Sequence, residues 1–296
     1  MSSAQSSAPF RWLVIGAAGM LGSRLVADLN AAGADVTGLS RADVDVTDAA
    51  AVLEMIRSAG ADIVVNATAY TAVDDAETHE AQALAVNGDG PANLAVACAA
   101  TGSVLLHVST DYVFPGDATT PYAEDARTGP ATAYGRTKLV GEQRVHELLP
   151  DRSAIVRTAW LYGPGGANFV STMLRLERQR DHVDVVDDQY GQPTSTAVVS
   201  RALRDLGPLV AAGAAAGVFH ATCSGATTWF GLARKAFELV GADPDRVRPT
   251  DSSTFKRPAP RPSYSVLSHA RWAEVGLRAP LDWEQALEEA FPALTA

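Results

Sequence analysis

Between Trp12 and Leu25 the chain passes from a short apolar run, Trp12-Leu-Val-Ile15, through Gly16, Gly19 and Gly22 and directly into a helical pattern. No other feature constrains the fold as much. A buried strand that ends in a glycine turn lets an anionic group approach the backbone closely. The helix that follows turns unpaired N–H groups and the positive end of its dipole toward the anion. The order predicts a dinucleotide pyrophosphate at the first strand–turn–helix of a parallel sheet, with Met20 and Leu21 beside it. Further apolar runs, Asp35-Val-Thr-Gly-Leu39, Ile63-Val-Val65, Val104-Leu-Leu-His-Val108 and Ala154-Ile-Val-Arg-Thr-Ala159, alternate with helical stretches at 20–30, 48–58, 77–100 and 133–149. This is the pattern of an α/β fold, a Rossmann-type doubly wound sheet covered by helices on both faces.

After Gly163-Pro-Gly-Gly166 the alternation weakens and proline clusters, as in Gln192-Pro-Thr194 and Arg257-Pro-Ala-Pro-Arg-Pro262. Residues 163–296 are therefore expected to form mainly a smaller C-terminal substrate-binding lobe, 11–162 with later returning segments the cofactor domain, and 1–10 a flexible N-terminus. Proline fixes φ and removes a donor, so 255–265 reads as an ordered loop. The Ala-rich stretch 210–217 reads as a helix end. With 24 Lys and Arg against 34 Asp and Glu, the net charge of −10 repels a polyanion, and no basic run offsets it. Nucleic acid is excluded as a partner. Cys98 and Cys223 have no thiol or histidine at ligand spacing and read as small core residues in a reducing compartment. The start Met1-Ser-Ser-Ala-Gln5 lacks a basic, apolar secretory signal, and no later run reaches membrane-spanning length, which places the protein in the cytoplasm.

The end of the second strand chooses between nicotinamide cofactors, because an acid there accepts from a ribose 2′-hydroxyl whereas Arg accommodates a 2′-phosphate. Here it reads Gly38-Leu-Ser40-Arg41, with no acid, which favours NADPH and leaves NADH possible. Beyond it, Asp45 and Val46 are placed to reach the adenine, and Asp48 or Thr47 to cap the next helix.

Tyr134 and Lys138 stand four apart in a helical pattern and so share a face. A tyrosine with an ordinary pKa of about 10 is a poor acid or base at neutral pH, but a neighbouring ammonium favours the phenolate and brings it toward the working range. Ser109-Thr110-Asp111-Tyr112 follows the strand that ends at Val108, at the carboxyl end of the sheet where ligands bind, and a hydroxyl there can orient a carbonyl.

Asn66-Ala-Thr-Ala-Tyr-Thr-Ala-Val-Asp-Asp-Ala-Glu77, Ser109-Thr-Asp-Tyr-Val-Phe-Pro-Gly116, Arg157-Thr-Ala-Trp-Leu-Tyr-Gly163, Asp188-Gln-Tyr-Gly-Gln-Pro-Thr194 and Arg261-Pro-Ser-Tyr-Ser-Val-Leu267 together resemble the dTDP-4-dehydrorhamnose reductase family, over nearly the whole chain. The resemblance implies an oxidoreductase of the extended short-chain dehydrogenase class that reduces the C4 ketone of a dTDP-linked 4-keto-6-deoxysugar with hydride from NADPH. It implies that Tyr134 protonates the developing alkoxide, Thr110 holds the oxygen, and Lys138 binds the nicotinamide ribose and tunes Tyr134. It further assigns Ala67, Thr68 and Ala69 to the cofactor, Trp160 to the sugar pocket, and Asp111 and Tyr112 to the sugar or its surroundings.

Related sugar dehydratases carry an Asp-Glu acid pair after the catalytic Thr, where this chain has Asp111-Tyr112, which disfavours dehydration. Some family members join two chains through magnesium bound by an acid two residues after the third glycine. Here that residue is Arg24, which cannot donate an oxygen ligand to a hard cation, so no metal site is expected and the protein is expected to be a monomer or weak homodimer. Lys256, Arg257 and Arg261 are the candidates to meet the substrate diphosphate. Two other readings share the fold: a non-catalytic NADP-binding regulatory subunit and an NAD-dependent sugar-nucleotide epimerase.

Overall fold

The computed structural model describes residues 10–295. Its main sheet takes β1 (Arg11–Ile15), β2 (Asp35–Leu39), β3 (Ile63–Asn66), β4 (Val104–Thr110) and β5 (Ser153–Thr158). The chain then makes β6 (Leu161–Tyr162), β7 (Val183–Val186), β8 (Tyr190–Gly191) and β9 (Thr194–Ser195), and returns to the main sheet with β10 (Gly217–His220). The six strands lie in the order β10-β5-β4-β3-β1-β2, and every pairing is parallel. β1 lies between β2 and β3, so the connections leave it in opposite directions and open a crevice at its carboxyl end, where such sheets bind ligands.

Strand periodicity divides the core. Trp12 and Val14 pack on the face covered by α1 (Met20–Ala31) and α8 (Thr196–Ala211), whereas Leu13 and Ile15 pack on the face covered by α2 (Ala49–Ala59) and α5 (Gly90–Thr101). Burial on both faces leaves β3 and β5 without an exposed residue, as a parallel sheet requires. Asp48 caps α2 as expected, its carboxylate accepting from the N–H groups of Ala50 and Ala51 at 3.0 Å. Phe10 departs from the expected loose N-terminus: it is half-buried against the Trp12 cluster, while residues 1–9 of that expectation lie outside the described chain.

The helix expected at 77–100 is broken. α3 (Val73–Ala76) is a separate turn, and α4 (Glu80–Leu84) enters α5 through a π-helical turn at Ala85–Asp89. Pro91 has no N–H to give the carbonyl of Asn87, so the regular ladder fails there. The freed carbonyl is closely covered by Gly141 of α6 (Ala133–Leu148), where a Cβ would stand 2.1 Å from it.

A further apolar cluster forms outside the sheet from α7 (Phe169–Glu177), β7, α9 (Trp229–Leu239) and the helix at Trp283–Thr295, with Val183, Leu232, Phe237 and Leu287 at its centre. The stretch 210–217 is the end of α8 and its turn into β10, as its composition predicts. Cys98 and Cys223 are both buried thiols, and burial pushes each up to about 12. Among the described residues no helix is long and apolar enough to cross a membrane.

Candidate active site

Three cavities run along the carboxyl edge of the sheet. The first, of about 590 Å³, lies over the glycine turn and is bordered by Gly16, Gly19, Ser40, Arg41, Asp45, Val46, Ala67, Thr68 and Ala69. Gly16 has φ +92, and a Cβ there would lie 2.8 Å from the carbonyl carbon of Ala67, so only glycine lets β1 and β3 close at this point. The N–H groups of Gly16 and Ala17 are both given to the carbonyl of Leu39, at 2.8 and 2.9 Å. Gly19 begins α1 with no side-chain cap, so the first-turn amides of that helix are left to an anion. The residues fit the pyrophosphate of a dinucleotide. Ser40 and Arg41 both border the cavity, but the Ser40 hydroxyl already donates to Asp43 at 2.7 Å, which leaves Arg41 as the cation at this end. Asp45 accepts from the Thr47 N–H and hydroxyl at 3.0 and 2.8 Å, so its carboxylate shapes the cavity wall.

The second cavity, about 430 Å³, shares Gly19, Ala67, Thr68 and Ala69 with the first and adds Met20, Leu21, Thr110, Asp111, Tyr112, Tyr134, Lys138 and Trp160. The sequence therefore named side chains that do converge. Thr110 ends β4; its hydroxyl donates to Asp111 at 2.9 Å and accepts from the Tyr112 N–H at 3.2 Å. Thr132 caps α6 by accepting from Gly135 at 3.0 Å, which fixes where Tyr134 emerges. Gly135 passes so close to the Tyr112 carbonyl that a Cβ would stand 2.2 Å from it. The rings of Tyr112 and Tyr134 meet edge to face, 5.5 Å apart.

The electrostatics correct one expectation. Burial pushes the Tyr134 phenol up to about 12, against the Thr110 hydroxyl beside it and helped by Asp111, and Lys138 does not offset this. Lys138 is itself 1% exposed, donates to the Val108 carbonyl at 2.7 Å, and is pushed down to about 8 by burial against the opposing charge of Glu142. Desolvation outweighs the ammonium, so Tyr134 is a neutral phenol, a proton donor rather than a phenolate. Burial likewise raises Asp111 to about 6, opposed by the hydroxyls of Ser265 and Thr110.

Four features of this region were not read from sequence. Asn87, carried on the π-helical turn, donates to the Tyr70 carbonyl at 3.2 Å and to the Thr137 hydroxyl at 3.1 Å, and accepts from the Tyr70 N–H at 2.8 Å. It ties the loop after β3 to the helix carrying Tyr134 and Lys138; the Gly88-Asp-Gly-Pro91 run was the available signal of an irregular turn. The buried hydroxyls of Ser109 and Thr158 border the second cavity and find no protein partner among the described residues. Buried Arg157 forks onto Glu142 at 2.9 and 2.7 Å behind Lys138. Asp74 of α3 takes a fork from Arg261 at 2.9 and 2.8 Å.

That last pair shapes the third cavity, an outer groove of about 640 Å³ that shares Tyr112 and Trp160 with the second and is bordered by Trp229, Lys256, Arg257 and Arg261. Arg261 reaches it with two of its nitrogens on Asp74, and Arg257 also lies 3.5 Å from that carboxylate. Of the basic residues expected to meet a diphosphate, all three border the groove, but Arg261 arrives already paired. Arg24, at the position where an acid would be needed for magnesium, shares its single Nε–H between the two carboxylate oxygens of Asp28, at 2.9 and 3.0 Å.

Residues 10–296 match the family described as RmlD substrate binding domain. A relative from Streptomyces griseus named dTDP-4-dehydrorhamnose reductase is 56% identical over 96% of this chain and 94% of its own. A second, from Streptomyces niveus and named dTDP-4-keto-6-deoxy-D-glucose reductase, is 49% identical over 97% of this chain and 98% of its own. Among solved structures, dTDP-4-dehydrorhamnose reductase from Bacillus anthracis in complex with NADP superposes with a TM-score of 0.91 at 35% identity, covering 96% of this chain and 99% of that one.

Proposed function

The chain belongs to the RmlD substrate-binding-domain family, and from that premise we propose that it is an NADPH-dependent oxidoreductase that reduces the C4 ketone of dTDP-4-dehydrorhamnose. The observation that carries the reading is the convergence of Thr110, Tyr134 and Lys138 in a cavity open on one side to the glycine turn and on the other to the outer groove.

NADPH, when bound, supplies a hydride to C4. The uncapped first turn of α1 and the backbone at Ala67 to Ala69 hold the pyrophosphate side, with Arg41 toward the 2′-phosphate. Lys138, fixed to the Val108 carbonyl, keeps two remaining donors for the ribose hydroxyls. Thr110 and Tyr134 receive the carbonyl oxygen. As negative charge grows on it, Tyr134 gives its proton and Thr110 a hydrogen bond, which stabilises the alkoxide. To do so the Thr110 hydroxyl turns its hydrogen from Asp111 to the substrate oxygen.

We assign residues 11–162 with β10 and α8 to the cofactor and most of 163–296 to the sugar nucleotide. Lys256, Arg257 and Arg261 face the diphosphate, and Trp160 and Tyr112 the sugar. We place the protein in the cytoplasm, a reading that its two buried free thiols support, and take it to be a monomer or weak homodimer. NADPH absorbance followed on addition of dTDP-4-dehydrorhamnose tests the assignment: stoichiometric loss of NADPH is expected, and none with this or another dTDP-4-keto-6-deoxysugar refutes it.

A further inference from the structure

Trp160 is the only non-glycine with positive φ among the described residues, at +46. A bulky L-residue is held there only where its surroundings over-determine it. They do so here. Its indole stacks on that of Trp229 with ring centroids 3.6 Å apart and planes 5° from parallel, and Phe169 packs against Trp229 at 4.6 Å. Gly191 lies so close to the Trp160 ring that a Cβ would stand 2.4 Å from its Cε2. The Trp160 carbonyl accepts from the Thr194 N–H at 3.2 Å. Trp229 is fixed in turn at the start of α9, where Thr228 accepts from Gly231 at 3.1 Å and donates to Asp187 at 2.5 Å.

The two indoles have different access. Trp160 borders both the catalytic cavity and the outer groove; Trp229 borders the groove and not the catalytic cavity. We infer that Trp229 is a positioning residue: by stacking on Trp160 it holds that indole in its left-handed backbone conformation, as the wall that sets how the sugar ring presents C4 to Tyr134. The inference rests on the reductase reading. It predicts that loss of the stack damages turnover while leaving the cofactor end, and nucleotide binding in the groove, largely intact.

The test compares Trp229→Ala, Trp229→Phe and Gly191→Ala with the unaltered enzyme, measuring kcat and KM for dTDP-4-dehydrorhamnose, the affinity for NADPH, and competitive inhibition by dTDP. Trp229→Ala is expected to lower kcat about tenfold or more, because small misplacements of a reacting group are costly. NADPH and dTDP affinities should change by less than about threefold, and Trp229→Phe, which keeps a stacking ring, should recover most of the loss. Gly191→Ala displaces the Trp160 ring without touching Trp229, and should reproduce the kcat loss even if Trp229→Ala fails to fold. Unchanged kcat in Trp229→Ala or Gly191→Ala, equal damage from the Phe and Ala variants, or parallel loss of kcat and dTDP affinity overturns the inference. No turnover by the unaltered enzyme sinks the reductase reading first, an outcome separate from these.

Discussion

The cofactor-side cavities and the outer groove meet at Trp160, yet they are assembled by different means. Around the glycine turn the functional surface is backbone: strand ends, helix amides and glycines that admit no Cβ, with Tyr134 and Lys138 carried on a sixteen-residue helix. The groove is made by side chains: a tryptophan stack, residues of α7 and β7, a Pro-rich loop, and Arg261 held by a carboxylate from the opposite side. Backbone built into a sheet fixes geometry for the chemical step, whereas paired side chains on loops can exchange one partner for another. Substitutions on the cofactor side and at the Trp160–Trp229 wall should therefore act on kcat, and those at the basic end of the groove on KM.

The largest separation is expected for Tyr134→Phe. Removing the proton donor should cost about 10²- to 10⁴-fold in kcat with the sugar-nucleotide KM and NADPH affinity little changed; a comparable rise in KM would blur the division. Asp111→Asn should trade activity for stability. Its carboxyl is raised from 3.8 to about 6 in the folded state, so the native protein binds more protons than the unfolded chain between those values, and its stability falls as pH rises through that window. Above about pH 6 the penalty is complete, and Asp111→Asn should unfold at higher denaturant, gaining roughly 1–3 kcal/mol at pH 7 and little near pH 4. A gain that does not depend on pH would assign the stabilisation to another cause.

On the groove side, Arg261→Ala should raise the sugar-nucleotide KM about tenfold with kcat within about twofold, since a charge-assisted fork to a diphosphate contributes to ground state and transition state alike. An unchanged KM would leave Arg261 as a strut for Asp74 alone. The smallest effect sharpens the cofactor side: with Lys138 lowered to about 8, kcat/KM should fall above that pH as the ammonium is lost, reported by a pH–rate profile. A flat profile to pH 9 would place the lysine proton outside the reaction.

The same contrast explains what could be read in advance. Trp12 to Leu25 and the strands that follow were legible because burial on both faces imposes continuous apolar runs, and because Gly16 and Gly22 stand where no Cβ fits. Thr110, Tyr134 and Lys138 converge because a strand end and one helical turn fix their spacing. Asn87 was missed because a π-helical turn has no simple periodicity; only Pro91 hinted that the ladder must break. The fork between Asp74 and Arg261 spans 187 positions, and no local pattern pairs residues so far apart. The direction of the Tyr134 shift also escaped, because sequence places an ammonium four residues away but does not say how deeply the phenol is buried.

The most direct test of the central claim follows the hydride. The enzyme would be given dTDP-4-dehydrorhamnose and NADPH deuterated at the transferable position of the nicotinamide, and the product analysed by mass spectrometry and NMR. One deuterium on C4 of the reduced sugar, with formation slowed to the same extent as turnover in Tyr134→Phe, is the predicted result. NADPH left unoxidised, or a product without deuterium at C4, would contradict it.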